Sequence, residues 1–209
     1  GMAGLFHEGY MTDGLWMPQV VQVFSGRTVG FPPETYVIAH NAVREQLFGR
    51  PSNFDTYLRC QYTLGVPQIL SGMIAPSVDK VSPQRIQSFK RYAELYKNFI
   101  RPILPVAKVY HHEPVNSRGG VESSPWFAMQ FMAPDRSRGW ATLVRIGQSG
   151  EPSYLFKPKG IDLGKVYRVT FDSSGDAVEI PGWQLARDGL AVRLETRTSS
   201  ELLLLDIIP

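Results

Sequence analysis

The sequence predicts an α+β protein, in which a helical N-terminal part packs on a C-terminal antiparallel β-sandwich. Two observations support this fold class. Up to about residue 104, apolar residues recur at spacings of three and four, as on one face of a helix. Beyond that point, short alternating runs of apolar and polar residues are separated by turn-forming Gly, Pro, Asp and Ser. We therefore predict a helical segment over 1–104 and a sandwich domain over 105–209.

The N-terminal part contains three predicted helices and one strand. The strand covers 20–24, and the shorter helices cover 33–47 and 53–64. The strongest helix signal is Ser82-Pro83, with serine as N-cap and proline at the first helical position. The apolar stripe that follows comprises Ile86, Phe89, Ala93, Tyr96, Ile100 and Ile103. This stripe is predicted to be the buried face of the helix.

The C-terminal part contains eight predicted strands. The turns between them carry Pro134-Asp135, Ser149-Gly150, Ser173-Ser174-Gly175 and Asp188-Gly189. Short strands at this spacing are typical of a two-sheet antiparallel sandwich. The predicted strands are 107–112, 126–132, 140–146, 153–156, 166–171, 177–180, 190–195 and 202–208.

Composition and charge narrow the classes of function. The 209 residues are 43% hydrophobic and 20% charged, as in globular proteins. The net charge is only +3, and the basic residues are interleaved with acidic ones along the chain, which argues against a nucleic-acid partner. No apolar run approaches the roughly 18 residues of a membrane helix, and no signal-peptide pattern follows residue 2. We therefore expect no membrane partner, and these features favour the cytoplasm.

Metal and cofactor chemistry finds little support in the sequence. Cys60 is the single cysteine, so the chain cannot form an internal disulfide or a thiolate metal site. The run His111-His112-Glu113 looks like a metal cluster, but successive side chains of a strand point to opposite faces. No glycine-rich phosphate loop or nucleophile elbow is present. We expect no metal and no cofactor.

Three segments resemble a known family. "VSPQRIQSFKRYAELYKNFIRPIL" resembles the last barrel helix of the α-galactosidase-like glycoside hydrolases, family 36, where this helix leads from a TIM barrel into a β-sandwich. "KPKGIDLGKVYRVT" and "PGWQLARDGLAVRLETRTSSELLLL" are similar to later segments of that sandwich. The resemblance implies that 1–104 corresponds to the end of a TIM barrel and that the associated activity is hydrolysis of α-galactosides.

The resemblance also suggests two site residues near the N-terminus. "YMTDG" is similar to the family's Trp-x-Ser-Asp motif, which implies that Asp13 is the catalytic acid/base. Trp16 follows it in what would be an active-site loop, and is the best candidate to stack on a sugar ring. The alternative for Asp13 is a turn residue beside Gly14. Trp126 and Trp140 lie in predicted strands and are expected in the core, whereas Trp183 remains a further candidate for sugar stacking.

A retaining glycosidase needs a second carboxylate. Its nucleophile and acid/base stand about 5–5.5 Å apart, and the family's nucleophile lies in a Lys-x-Asp-type motif on an earlier barrel strand. A TIM barrel takes about 250 residues by itself. We therefore expect a C-terminal fragment or reduced homologue that lacks the nucleophile and does not hydrolyse α-galactosides alone.

Two non-catalytic functions remain open. The sandwich could bind an α-galactoside-like carbohydrate, which an exposed aromatic platform with polar neighbours would favour. It could instead be a protein-interaction module, which a large exposed apolar patch would favour. A barrel remnant would also leave apolar residues uncovered, so we expect a homodimer. The candidates for that uncovered surface are Val20, Val21, Val23 and Phe24.

Overall fold

A computed structural model describes residues 54–63, 83–112, 126–145, 151–196 and 199–209. These residues fall into two compact units. The first contains 54–63 and 83–96, and the second contains the remainder from residue 97 onward. The architecture confirms the predicted α+β class with a sandwich-like C-terminal part. The placement of the domain boundary at residue 104 stays a prediction.

The first unit is a pair of helices around a small aromatic core. Helix α1 spans Phe54–Thr63 and helix α2 spans Pro83–Leu95. Leu58 and Tyr92 are fully buried between them, and Tyr62 is 8% exposed. Burial raises the pKa of the Tyr62 hydroxyl. Helix α1 begins and ends within one residue of the predicted bounds, 53–64. Helix α2 begins at the predicted position but ends at Leu95, earlier than the predicted stripe, which continues to Ile103.

The apolar stripe of α2 was predicted correctly only in part. Phe89, Ala93 and Tyr96 pack on the buried cluster, but Ile86 is 39% exposed. Ile86 lies six residues before the fully buried Tyr92. At about 100° per residue, this spacing places Ile86 about 120° around the helix axis from Tyr92, at the edge of the packed face. A π-helical turn, Tyr96–Ile100, follows α2 directly, and its Ile100 side chain is buried in the second unit.

The second unit contains all eight predicted strands. Three of them have the predicted bounds, and the others differ by at most two residues at either end. The strands are β1 Lys108–His111, β2 Trp126–Met132, β3 Arg138–Arg145, β4 Ser153–Phe156, β5 Val166–Phe171, β6 Ala177–Pro181, β7 Leu190–Arg193 and β8 Ser200–Ile207.

The strands form two antiparallel sheets. The larger has six strands in the order β1-β2-β3-β8-β5-β6, and the smaller pairs β4 with β7. Phe156 and Val192 of the small sheet pack in one core cluster with residues of the large sheet. This contact makes the unit a sandwich. The cluster's fully buried members are Ala141, Leu143, Phe156, Tyr167, Val169, Leu185, Leu203 and Leu205.

The large sheet is buried on both faces at its centre. In β3, Ala141 and Leu143 belong to the core shared with the small sheet, while Trp140 and Thr142 point to the opposite face and are also fully buried. Trp140 stacks on Phe131 of β2, with ring centroids 4.7 Å apart and planes 7° from parallel. The central strands therefore read as continuous apolar runs rather than as an alternation.

A short helix that the sequence did not predict joins β6 to β7. Helix α3 spans Gly182–Asp188 and ends at Gly189, whose φ of 74° lies in the left-handed region that favours glycine. The Gly189 N–H donates to the Leu185 carbonyl and closes the helix. Only the Asp188-Gly189 turn had been predicted in this connection.

Candidate functional site

The two site residues predicted from the sequence lie outside the described residues. Asp13 and Trp16 both belong to the first 53 residues, as does the apolar run at 20–24. The acid/base role of Asp13 and the substrate-binding role of Trp16 therefore stay predictions.

The other three tryptophans occupy contrasting environments. Trp126 is 4% exposed and Trp140 is fully buried, which confirms that both belong to the core. Trp183 is 50% exposed, although it lies in a helix that is well packed on its inner side. Within the part of the chain that the structure describes, Trp183 is the tryptophan that reaches solvent.

Helix α3 places Trp183 at the surface because its other side is fixed to the core. Leu185 is fully buried in the sandwich core, and Gly182 is buried beside the turn that precedes β5. The Gly182 N–H donates to the Lys165 carbonyl at 2.7 Å, and the Trp183 N–H donates to the Leu163 carbonyl at 3.2 Å. The exposed residues of α3 form its outer face, and they are Trp183, Gln184, Arg187 and Asp188.

Gly182 permits this close approach, and its replacement by alanine should destabilise the protein. A Cβ atom at this position would stand 2.1 Å from the Asp162 carbonyl oxygen, which is backbone and cannot rotate away. We expect Gly182→Ala to lower the free energy of unfolding by about 1–3 kcal/mol, as overpacking does. Chemical denaturation of the two proteins measures the difference.

Gly164→Ala is the matched control for this change. Neither Gly164 nor Gly182 has a positive φ, but a Cβ at Gly164 would meet only the Asp162 Oδ1 atom at 3.5 Å, an ordinary van der Waals contact. Its substitution therefore reports the change from glycine to alanine without a clash. A loss of stability at Gly182 no larger than the loss at Gly164 would contradict the close approach.

The indole of Trp183 lies beneath a guanidinium group. The Arg187 Cζ atom is 4.9 Å from the centroid of the indole ring, one helical turn along α3. The Asp188 carboxylate accepts hydrogen bonds from Arg187 Nε at 2.6 Å and Nη2 at 2.7 Å. These bonds raise the pKa of Arg187 and lower the pKa of Asp188, so both groups are charged at neutral pH. The outer face of α3 therefore presents an aromatic ring beside a neutralised ion pair.

The segment that carries Leu163 is anchored by buried polar side chains. The fully buried Gln130 donates from Nε2 to the Lys159 carbonyl at 2.7 Å and accepts from the Lys159 N–H at 2.8 Å. These two bonds fix the orientation of the Gln130 amide. Its oxygen also lies 2.8 Å from His112 Nε2, which must therefore carry a proton. The pairing gives His112 a structural role among the described residues.

The Tyr167 hydroxyl anchors the next part of the same segment. It donates to the Arg136 carbonyl at 2.6 Å and accepts from the Asp162 N–H at 2.9 Å. Burial raises the pKa of this hydroxyl, so it stays protonated and able to donate. Leu163 follows directly and is 56% exposed beside Trp183. The loop is therefore held in place while its leucine side chain remains available at the surface.

A charged pair lies at the same end of the large sheet, next to the pairing of Tyr167 with Ile207. Arg138 of β3 contacts Asp206 of β8 at 3.2 Å, and its guanidinium stacks over the Phe99 ring at 4.7 Å. Burial raises the pKa of the Asp206 carboxyl, against the opposing effect of Arg138 and Arg168. Both side chains of the pair remain about 40% exposed.

We expect Asp206→Asn to change stability by less than about 1 kcal/mol, as for partly exposed ion pairs. Because the folded-state pKa is raised above 3.8, the folded protein holds this proton more tightly than the unfolded chain does. The contribution of Asp206 is therefore most favourable below that pH and declines as pH rises through the folded-state pKa. Urea unfolding of both proteins on either side of this range measures the change. A wild-type advantage that grew with pH would contradict the sign.

Within the described ranges, no group of three or more His, Cys, Asp and Glu side chains is placed to hold a metal ion. The helices that the structure describes are each too short or too polar to cross a lipid bilayer.

Comparison with known proteins shows a likeness of fold. No protein-family model matches the chain, and no curated protein matches it either. Among solved structures, the α-galactosidase from Lactobacillus brevis matches with a TM-score of 0.51 and 19% identity, over 64% of this chain and 18% of that one. The family 36 α-galactosidase AgaA from Geobacillus stearothermophilus matches with a TM-score of 0.49 and 20% identity, over 68% and 20% of the two chains.

An α-amylase from Anoxybacillus is a third structural relative, with a TM-score of 0.49 and 13% identity over 80% of this chain and 36% of that one. The Lactobacillus match confirms, at the level of the fold, the resemblance to α-galactosidases that the sequence segments predicted. The chain spans only about a fifth of the α-galactosidases it matches.

Proposed function

We propose that this chain serves α-galactoside hydrolysis as a C-terminal scaffold that supplies at most the acid/base Asp13 and does not itself contain a complete retaining site. The observation that carries the proposal is the fold shared with the Lactobacillus brevis α-galactosidase. The three sequence segments that resemble family 36 support the same class, since they lie in α2, in β5 and across α3 to β8.

The described carboxylates support a scaffold role. A retaining site needs a carboxylate nucleophile and a second carboxyl whose raised pKa lets it act as an acid. Asp206 has a raised pKa, but the charged groups that act on it are Arg138 and Arg168. Three further carboxylates of the described ranges form ion pairs with arginine. These pairs are Glu179 with Arg168, Asp188 with Arg187, and Glu195 with Arg193.

The buried carboxylate of the described ranges, Glu201, has a structural task. Glu201 is 7% exposed, and its Oε1 accepts hydrogen bonds from the Ser173 N–H at 3.0 Å and the Leu202 N–H at 2.9 Å. It thereby ties the turn after β5 to β8. Neither this group nor the arginine-paired acids resembles a pair of carboxyls placed on either side of a substrate.

The genomic locus tests the scaffold proposal. We expect the sequence of a barrel with a Lys-x-Asp-type nucleophile motif to be encoded with this chain, either in the same reading frame or as a neighbouring gene. Co-production of that barrel with this chain should give α-galactosidase activity that depends on Asp13. A locus that encodes no such barrel would count against the proposal.

A further inference from the structure

The outer face of α3 carries a tryptophan, Trp183, that is not buried in the core. A tryptophan can bury 150–250 Å² and is highly buried on average, so half-exposure leaves much of its apolar surface in water. Trp183 is 50% exposed and the adjoining Leu163 is 56% exposed, although the backbones of both are hydrogen-bonded to each other. Trp183 and Leu163 together form a small apolar platform, whose backbone is hydrogen-bonded into the sandwich unit.

The platform is organised before any ligand arrives. Arg187 lies over one side of the Trp183 ring, and Asp188 holds Arg187 through two hydrogen bonds. Gly182 and the buried Leu185 fix the helix beneath it. Binding would therefore immobilise few side chains, which reduces the entropic cost of association.

The chemistry of the surrounding groups indicates the class of ligand. The face of an indole ring is electron-rich and attracts the weakly positive C–H groups on one face of a pyranose. Sugar hydroxyls both donate and accept, and the outer face of α3 offers an amide in Gln184, a guanidinium in Arg187 and a carboxylate in Asp188. Because Asp188 already neutralises Arg187, an anionic ligand gains little here.

We propose that Trp183, with Leu163 and the polar groups of α3, forms a carbohydrate-binding site for neutral oligosaccharides. The Trp183 ring stacks on a pyranose, and Gln184, Arg187 and Asp188 bind its hydroxyl groups. Binding at this site requires neither Asp13 nor catalysis. The proposed hydrolase function enters only in the choice of an α-galactosyl oligosaccharide as the probe.

The test is a titration of the full chain with raffinose, followed through the indole N–H signals in nitrogen-15 correlation spectra. The chain has four tryptophans, and the Trp183 signal is assigned by its loss in Trp183→Ala. We expect saturable shifts of this signal at millimolar sugar. In Trp183→Ala, backbone shifts of residues in α3 should then require about tenfold more sugar, since losing about 1.4 kcal/mol weakens binding tenfold.

Two further variants distinguish specific binding at this site from nonspecific binding of the sugar. Val106→Ala removes another exposed apolar side chain, 61% exposed, from the segment before β1, and should leave the titration unchanged. Arg187→Ala keeps the indole but removes the group that holds it, and should weaken binding. The proposal would be overturned if the Trp183 signal did not shift at the solubility limit of raffinose. It would also be overturned if Trp183→Ala bound raffinose as tightly as the wild-type chain. Binding without turnover would uphold it whether or not the chain takes part in hydrolysis.

Discussion

Replacing Trp140 by alanine is expected to lower the free energy of unfolding by about 3–5 kcal/mol. Trp140 is fully buried in β3, whose two neighbours are β2 and β8, and it stacks on Phe131. Removing the indole leaves a cavity that these paired strands cannot close, because their positions are fixed by backbone hydrogen bonds on both sides. The loss of stability therefore has two parts, the burial free energy of the removed ring and the cost of the cavity that it leaves.

Trp183→Ala supplies the matched control, since it makes the same chemical change at a half-exposed position. We expect its effect on stability to stay within about 0.5 kcal/mol, as for most surface substitutions. Urea unfolding, with the slope of the transition compared as well as its midpoint, measures both variants. Equal losses at the two positions would show that Trp140 is not at the centre of the packed sheet.

The sequence patterns predicted the strands well because alternation, apolar runs and turn residues are local features of the sequence. In β5, the predicted alternation appears in the structure over Val166 to Val169, whose residues are exposed and buried in turn. The turn glycines Gly175 and Gly189 have positive φ, as their turns require. The residues of β3 do not alternate in burial, yet their apolar run of strand length was sufficient to predict a strand.

Two features depended on tertiary contacts that no local pattern contains. Helix α3 has only seven residues, fewer than an isolated helix needs, so it depends on Leu185 in the core and on the fit of Gly182. Along α2, the packed face is centred nearer Tyr92 than the periodicity suggested, which leaves Ile86 exposed. In both places, the neighbouring element decides which side chains are buried.

The candidate site, like the fold, could be predicted from the sequence only in part. The sequence offers four tryptophans as sugar-stacking candidates, but their exposure depends on which elements cover them. Trp126 and Trp140 were correctly placed in the core, and Trp183 emerged as the exposed one. Its neighbours Gln184, Arg187 and Asp188 were missed because they come together only when α3 is helical. The roles of Asp13 and Trp16 remain predictions.

The absence of turnover by the chain alone is the second large effect that we expect. Retaining hydrolysis needs a nucleophile and an acid/base at a fixed separation, with positive charge developing on the sugar between them. Asp13 could serve as the acid/base, but acid catalysis alone contributes only about 10²–10⁴-fold. Glu8 lies five residues earlier, an odd spacing that on a strand puts it on the opposite face from Asp13. Glu34 follows Pro33 at a predicted helix start, where it favours the helix N-terminus.

An assay of the purified chain with an aryl α-galactoside, beside Asp13→Asn, tests the central claim most directly. The account predicts that both proteins release the aryl group no faster than buffer, because a scaffold without the nucleophile cannot form the glycosyl-enzyme intermediate. Turnover by the wild-type chain that Asp13→Asn abolishes would contradict the account. It would mean that a second carboxylate completes the site with Asp13.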